Sequence, residues 1–165
     1  MNSDLRRILV GSAGSSAVAI ASLLVGGSGA CDGFEGFSYV PYTDISGIQT
    51  VCYGHTGKDI VIDKVYTKSE CKIILNRDLA LISKQVDPLI KVNIPNVMRG
   101  ALYSFVYNVG IGSFKKSTLI YKLNSGDKKG ACKELHRWVH ADGKVWKGLV
   151  TRREVEFEVC EWGMR

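Results

Sequence analysis

The sequence predicts an α+β protein: a small β lobe, about residues 37–66, then a larger helical lobe with a cleft between them, and a hydrophobic segment in front. Three observations lead there. Residues 8–31 carry no charged side chain. Residues 37–63, FSYVPYTDISGIQTVCYGHTGKDIVID, are rich in β-branched and aromatic residues and broken by Gly47, Gly54 and Gly57, which reads as short strands and tight turns. From Pro95 onward the apolar residues recur at helical spacing.

A chain of 165 residues supports one globular domain and at most an appended segment. With 45% hydrophobic and 23% charged residues, neither disorder nor a polytopic membrane protein fits. The net charge of +6 favours anionic partners such as a lipid surface, an anionic cell wall or nucleic acid. The basic residues are scattered, with doublets only at Arg6-Arg7, Lys115-Lys116, Lys128-Lys129 and Arg152-Arg153, so they read as a solvated face and nucleic acid is not expected as a partner.

The first element is the stretch from Ile8 to Cys31. As one helix its 24 residues span roughly 36 Å, enough for a hydrocarbon core of about 30 Å. Arg6 and Arg7 precede it, and Asp32 and Glu35 follow, which puts the N-terminus in the cytoplasm and the bulk of the chain outside. Only eight of the 24 residues are Ile, Leu or Val, against five Gly, five Ser and five Ala, so insertion is only marginally favourable. A segment this weak can leave the bilayer if another surface offers its apolar face a home. The expected division is a releasable anchor over 1–31 and a globular domain over 32–165. Three other readings stay open: a signal peptide cleaved after Ser28-Gly29-Ala30, a lipoprotein site at Cys31, and a buried helix. Cleavage at Ala30 leaves only four residues before Glu35, too few for a helix that holds it.

Beyond the β lobe, Thr67-Lys68-Ser69-Glu70 is a capping box opening a helix with Cys71, Ile74, Leu75, Leu79 and Ile82 on one face. Asp78 lies on that apolar face and needs a partner there. Helices are expected over 96–108, 117–124, 128–139 and 149–162, with Asn124-Ser125-Gly126-Asp127 as a stop and the next cap. The five cysteines, Cys31, Cys52, Cys71, Cys132 and Cys160, allow two bridges and an odd thiol in an oxidising compartment, with the connectivity open.

The chemistry-bearing stretch is EGFSYVPYTDISGIQT. Glu35 is expected at the end of the first helix, Asp44 follows nine residues later in the β lobe, and Thr50 six beyond that. Glycoside hydrolysis needs one protonated carboxyl for the leaving oxygen and a second group to activate water or support oxocarbenium charge. The spacing Glu, eight residues, Asp, five residues, Thr resembles that of the phage lysozyme family of T-even and lambdoid phages. TVCYGHTG resembles its glycine-rich β-lobe segment, and RGALYSFVYNVGIGSF, STLIYKLNSGD and GLVTRREVE resemble its helical lobe. The likeness covers about residues 33–162. The uncharged N-terminal stretch further resembles the signal-anchor-release (SAR) endolysin branch, in which such a segment tethers the enzyme and later leaves the bilayer uncleaved.

The resemblance implies a lysozyme fold and cleavage of the β-1,4 bond from N-acetylmuramic acid to N-acetylglucosamine in peptidoglycan, without cofactor or metal. The expected actor is a monomer at the host inner membrane, then in the periplasm. Glu35 is implied as general acid, Asp44 as the group that positions or activates water, and Thr50 as the holder of that water. Inversion is implied, with carboxyls roughly 6.5–9.5 Å apart. A lytic transglycosylase needs no such water-activating pair. His55 matches a position that pairs with a helix carboxylate, for which Asp78 is in place. Arg152 matches a basic position near the acid, either pairing with Glu35 or lying on the surface, while Tyr107 and Asn108 match the cleft wall. Trp138, Trp146 and Trp162 read as core anchors rather than sugar platforms. Bridges Cys52–Cys71 and Cys132–Cys160 are implied, leaving Cys31 as a regulatory or passive thiol one helical turn before Glu35. The same muramidase with a cleaved signal, and a membrane-tethered wall-binding protein without turnover, are the rival readings. The last requires a departure at Glu35, Asp44 or Thr50, and there is none.

Overall fold

A computed structural model describes residues 15–27, 33–34, 36–44 and 47–164. Helix α1 (Ala17–Gly26) opens on Ser16, whose hydroxyl accepts from Ala19 N at 3.2 Å. Its buried residues Ala17, Ile20, Ala21, Leu24 and Val25 follow the spacing of one helical face. That face enters the core rather than standing apart from it. Gly27 ends the helix at φ 73, a conformation that costs glycine little, and its N–H donates to Leu23 O.

This corrects the reading of residues 8–31 as one long helix running on to Glu35. Gly33 and Phe34 lie outside any helix, and Phe34 N returns to donate to Leu24 O at 3.2 Å. The helical turn expected between Cys31 and Glu35 is therefore interrupted. Cys31 and Glu35 themselves, like residues 1–14, lie outside the described residues. Among the described residues no helix is long and apolar enough to cross a membrane.

The β lobe is a three-stranded antiparallel sheet in the order β1 (Ser38–Thr43), β2 (Gln49–Cys52), β3 (His55–Thr56). Tyr42 pairs with Thr50 and Thr43 with Gln49, and the register slips between Ser38 and Tyr42. Pro41 is tolerated because β1 is an edge strand. Helix α2 (Lys68–Val86) begins on the full capping box: Thr67 Oγ1 accepts from Glu70 N, and the Glu70 carboxylate accepts from Thr67 N. The disulfide Cys52–Cys71 ties β2 to the start of this helix.

A 3-10 turn (Asp87–Leu89) leads to α3 (Asn96–Val109), which is buried on nearly every side because α1, α2 and the last helix surround it. Its Gly100 is what lets α1 approach: a Cβ there stands 2.6 Å from Ile20 Cγ2. Next come α4 (Ile111–Lys115), α5 (Thr118–Asn124) and α6 (Lys128–Glu134), then a 3-10 turn (Leu135–Arg137). The hairpin β4 (His140–Ala141) and β5 (Lys144–Val145) precedes α7 (Lys147–Trp162), which the disulfide Cys132–Cys160 joins to α6.

The helix expected over 128–139 thus stops at Glu134. The hairpin follows because Asp142 and Gly143 take φ of 50 and 73, the left-handed pair that a two-residue turn requires. Trp146 corrects its reading as a core anchor: it is 55% exposed and its indole N–H donates to Ala141 O at 3.0 Å, closing the hairpin. Trp138 does pack on the core, edge-on to Phe105.

Candidate active site

Asp44 stands at the end of β1, where the chain turns toward β2. Its backbone N donates to Ile48 O at 2.9 Å, and its carboxylate Oδ1 accepts from Ile48 N at 2.9 Å. Thr50 is 5% exposed and its hydroxyl donates to Ile48 O at 3.2 Å. Both side chains are thereby tied to Ile48, which brings together two residues six apart in the sequence. The hairpin register holds them there, since Thr43 next to Asp44 pairs with Gln49 next to Thr50. Where Glu35 sits relative to them lies outside the described residues.

Its neighbour Phe34 is described, and the Arg152 guanidinium lies over the Phe34 ring, 5.1 Å from its centroid. Arg152 is no surface arginine: it is 4% exposed, with Nε on Glu156 Oε1 at 3.0 Å and Nη2 on Ser104 O at 2.9 Å. Ser104 Oγ donates to the same Glu156 oxygen at 2.7 Å. Burial pushes the Glu156 carboxyl up from its ordinary value, against the pull of Arg153 and Arg152. Arg153, read with Arg152 as part of a solvated basic face, is instead fully buried. It faces Phe105, donates to Asn108 Oδ1 at 2.7 Å and lies 3.2 Å from Glu156 Oε2. Its signal was present in the spacing: Arg152 and Arg153 stand four and three residues before Glu156 on one helix.

Tyr107 is half-buried, and its hydroxyl donates to Tyr53 O at 2.8 Å, joining the helical lobe to the turn after β2. Asn108 is exposed and holds Arg153. In β3, buried His55 places Nδ1 2.7 Å from Asp78 Oδ2, the partner that Asp78 needed on its apolar face. Two further members were not foreseen. Asp59 Oδ1 lies 3.1 Å from His55 Nε2, and Arg77 Nη2 lies 2.8 Å from Asp59 Oδ2. Hydrogen bonds from His55 and then Arg77 hold the Asp59 carboxyl below its ordinary value. Among the described residues no group of three or more His, Cys, Asp or Glu is placed to hold a metal ion.

A family model described as Phage lysozyme matches residues 32–156. The SAR-endolysin of Enterobacteria phage PA-2 is 58% identical, and that of Enterobacteria phage P21 57% identical, each over 165 residues covering 100% of both chains. Among solved structures, the endolysin from Escherichia coli O157:H7 phage FAHEc1 superposes with a TM-score of 0.71 at 26% identity, over 87% of this chain and 89% of that one.

Proposed function

Because the chain belongs to the phage lysozyme family, in its SAR-endolysin branch, we propose that it is an endolysin that hydrolyses the β-1,4 bond from N-acetylmuramic acid to N-acetylglucosamine in peptidoglycan. Its role is lysis of the host cell. The observation that carries this is the family match across residues 32–156, within which Glu35, Asp44 and Thr50 keep the acid–Asp–Thr spacing.

Glu35 donates a proton to the leaving glycosidic oxygen. The Thr50 hydroxyl spends its hydrogen on Ile48 O, so toward substrate it offers a lone pair. A water that donates one hydrogen to Thr50 Oγ1 and the other to the Asp44 carboxylate turns its own lone pair toward the anomeric carbon. As the bond forms, Asp44 takes up the proton, and its charge supports the oxocarbenium-like transition state. Attack from the face opposite Glu35 inverts the anomeric centre. Arg152 packs on Phe34, which precedes Glu35 in the sequence, and its proposed part is to stabilise that carboxyl.

Residues 1–31 tether the chain to the host inner membrane, and the protein then acts uncleaved in the periplasm. Retention of the segment is supported by the five buried side chains of α1, which cleavage after Ala30 removes from the core.

The test is Glu35→Gln. Lysis of chloroform-permeabilised Gram-negative cells should vanish with the melting temperature unchanged, and wild type should release muropeptides with reducing ends. Activity surviving in the variant removes the acid assignment, and anhydro products replace hydrolysis with transglycosylation.

A further inference from the structure

A second candidate site lies on the helical lobe, between the 3-10 turn after α2 and helices α4 and α5. It is a cavity of about 620 Å³, within the size range of small-ligand pockets, and it shares no residue with the site around Asp44 and Thr50. Leu89 and Ile120 give it an apolar floor, Lys91, Lys115 and Lys116 a cationic rim, and Tyr121 an exposed aromatic wall. One side is fastened by Asn124, which accepts from Lys91 N at 2.8 Å and donates to Leu89 O at 2.9 Å. These two bonds fix the segment carrying Leu89 and Lys91 against the end of α5.

Its charge is one-sided. No acidic residue lines it, and none of the three lysines has an acidic partner among the described residues. Asp87, next in sequence to the lining residue Pro88, is engaged by Arg99 and Tyr103, each at 2.6 Å. Three ammonium groups suit a phosphate, which lysine binds as a point charge and which carries more negative charge to share among them than a single carboxylate. An apolar floor and an exposed tyrosine beside such a rim suit a ligand that is part charged and part hydrocarbon, the chemistry of a membrane interface.

We propose that this pocket binds the phosphate headgroup of an anionic phospholipid, so that the helical lobe rests on the membrane surface. The phosphate chemistry stands on the pocket alone. The choice of a lipid over a soluble phosphate rests on the membrane-tethered start proposed above.

The test uses the full chain and two vesicle compositions, phosphatidylcholine alone and an equal mixture with phosphatidylglycerol. The triple variant Lys91→Gln, Lys115→Gln, Lys116→Gln should bind the mixed vesicles about a hundredfold more weakly than wild type. Its binding to phosphatidylcholine and its turnover of purified peptidoglycan should not change. A control triple, Lys68→Gln, Lys72→Gln, Lys129→Gln, removes the same charge from other exposed positions and should lose only a fewfold. Equal losses in the two triples, or none in the first, overturn the pocket. Inorganic phosphate shifting the Tyr121 ring resonances while vesicle binding stays insensitive to the triple makes the ligand a soluble phosphate and overturns the lipid. A muramyl peptide that binds the pocket in place of vesicles overturns the phosphate. Loss of peptidoglycan turnover in Glu35→Gln reports the catalytic reading separately.

Discussion

Thr50 and Asp44 owe their meeting to backbone atoms of one residue, Ile48, which binds the hydroxyl of the first and the carboxylate of the second. Removing the hydroxyl while keeping the side chain's shape isolates its part. Thr50→Val should lower kcat for reducing-end release about a hundredfold while shifting stability by only about 1 kcal/mol. A fall in both by comparable free energies assigns Thr50 a structural role instead. Glu134 gives a second prediction. Lys122 at 2.6 Å, and then Arg137 at 2.9 Å, hold this nearly buried carboxyl below its ordinary value. A lowered folded pKa gives stability that is present above the unfolded value of about 4.3 and is lost as pH falls through the folded one. Lys122→Met should therefore melt below wild type at neutral pH and converge with it in acid, as thermal melts across pH will read. Glu35, Asp44 and Thr50 stand out as candidates in the sequence because their signature is a spacing along the chain. For Asp59 and Arg153 only part of the meaning is local: the spacings to His55 and Glu156 lie within one turn, but Arg77 reaches Asp59 from 18 residues away and Asn108 meets Arg153 from 45.

At the scale of elements, α1 shows why composition misled. Residues 8–31 are uniformly uncharged, so the one-sided face at positions 17, 20, 21, 24 and 25 has no polar side to stand out against. The small residues that weaken the segment as a membrane span are what let it pack closely on α3. Ile20→Ala should cost about 2–5 kcal/mol, and Gly100→Ala about 1–3 kcal/mol, since its methyl must displace Ile20. Ile73→Ala, at a 68% exposed position, should stay within about 0.5 kcal/mol. Chemical denaturation of the three variants reads all of this, and equal midpoints remove the claim that α1 is seated there. The capped helix α2 was fully legible from Thr67 and Glu70. The β4–β5 hairpin carried its signal in Asp142-Gly143, which the helical pattern running through residues 128–139 concealed.

Across the whole molecule, α1 is part of the core, and in the proposed tethered start it is also the anchor; the two roles exclude each other. The same five side chains cannot lie in lipid and against α3 together. Fractionation of expressing cells, before and after collapse of the membrane potential, should move protein of the full 18.1 kDa from the membrane to the soluble fraction. A shortened soluble species of about 15 kDa, given about 0.11 kDa per residue, means that a protease frees the enzyme instead. The disulfides Cys52–Cys71 and Cys132–Cys160 each close within the globular part and do not include the segment, so neither bridge holds it in either place.

The close fit of Ile20 over Gly100 also sets an order of events during synthesis. The ribosome finishes α1 about 70 residues before it reaches the start of α3, and at about 5–20 residues per second that interval lasts several seconds. For that time the nascent chain holds a sticky surface whose intended seat has not yet been made. Whatever apolar phase is nearest the growing chain receives it first, and an export channel opening into the bilayer is such a phase. The enzyme's own α3 becomes a competitor for the segment only later, so the sequence order of the two helices gives the proposed membrane tether its chance to form before the packed state.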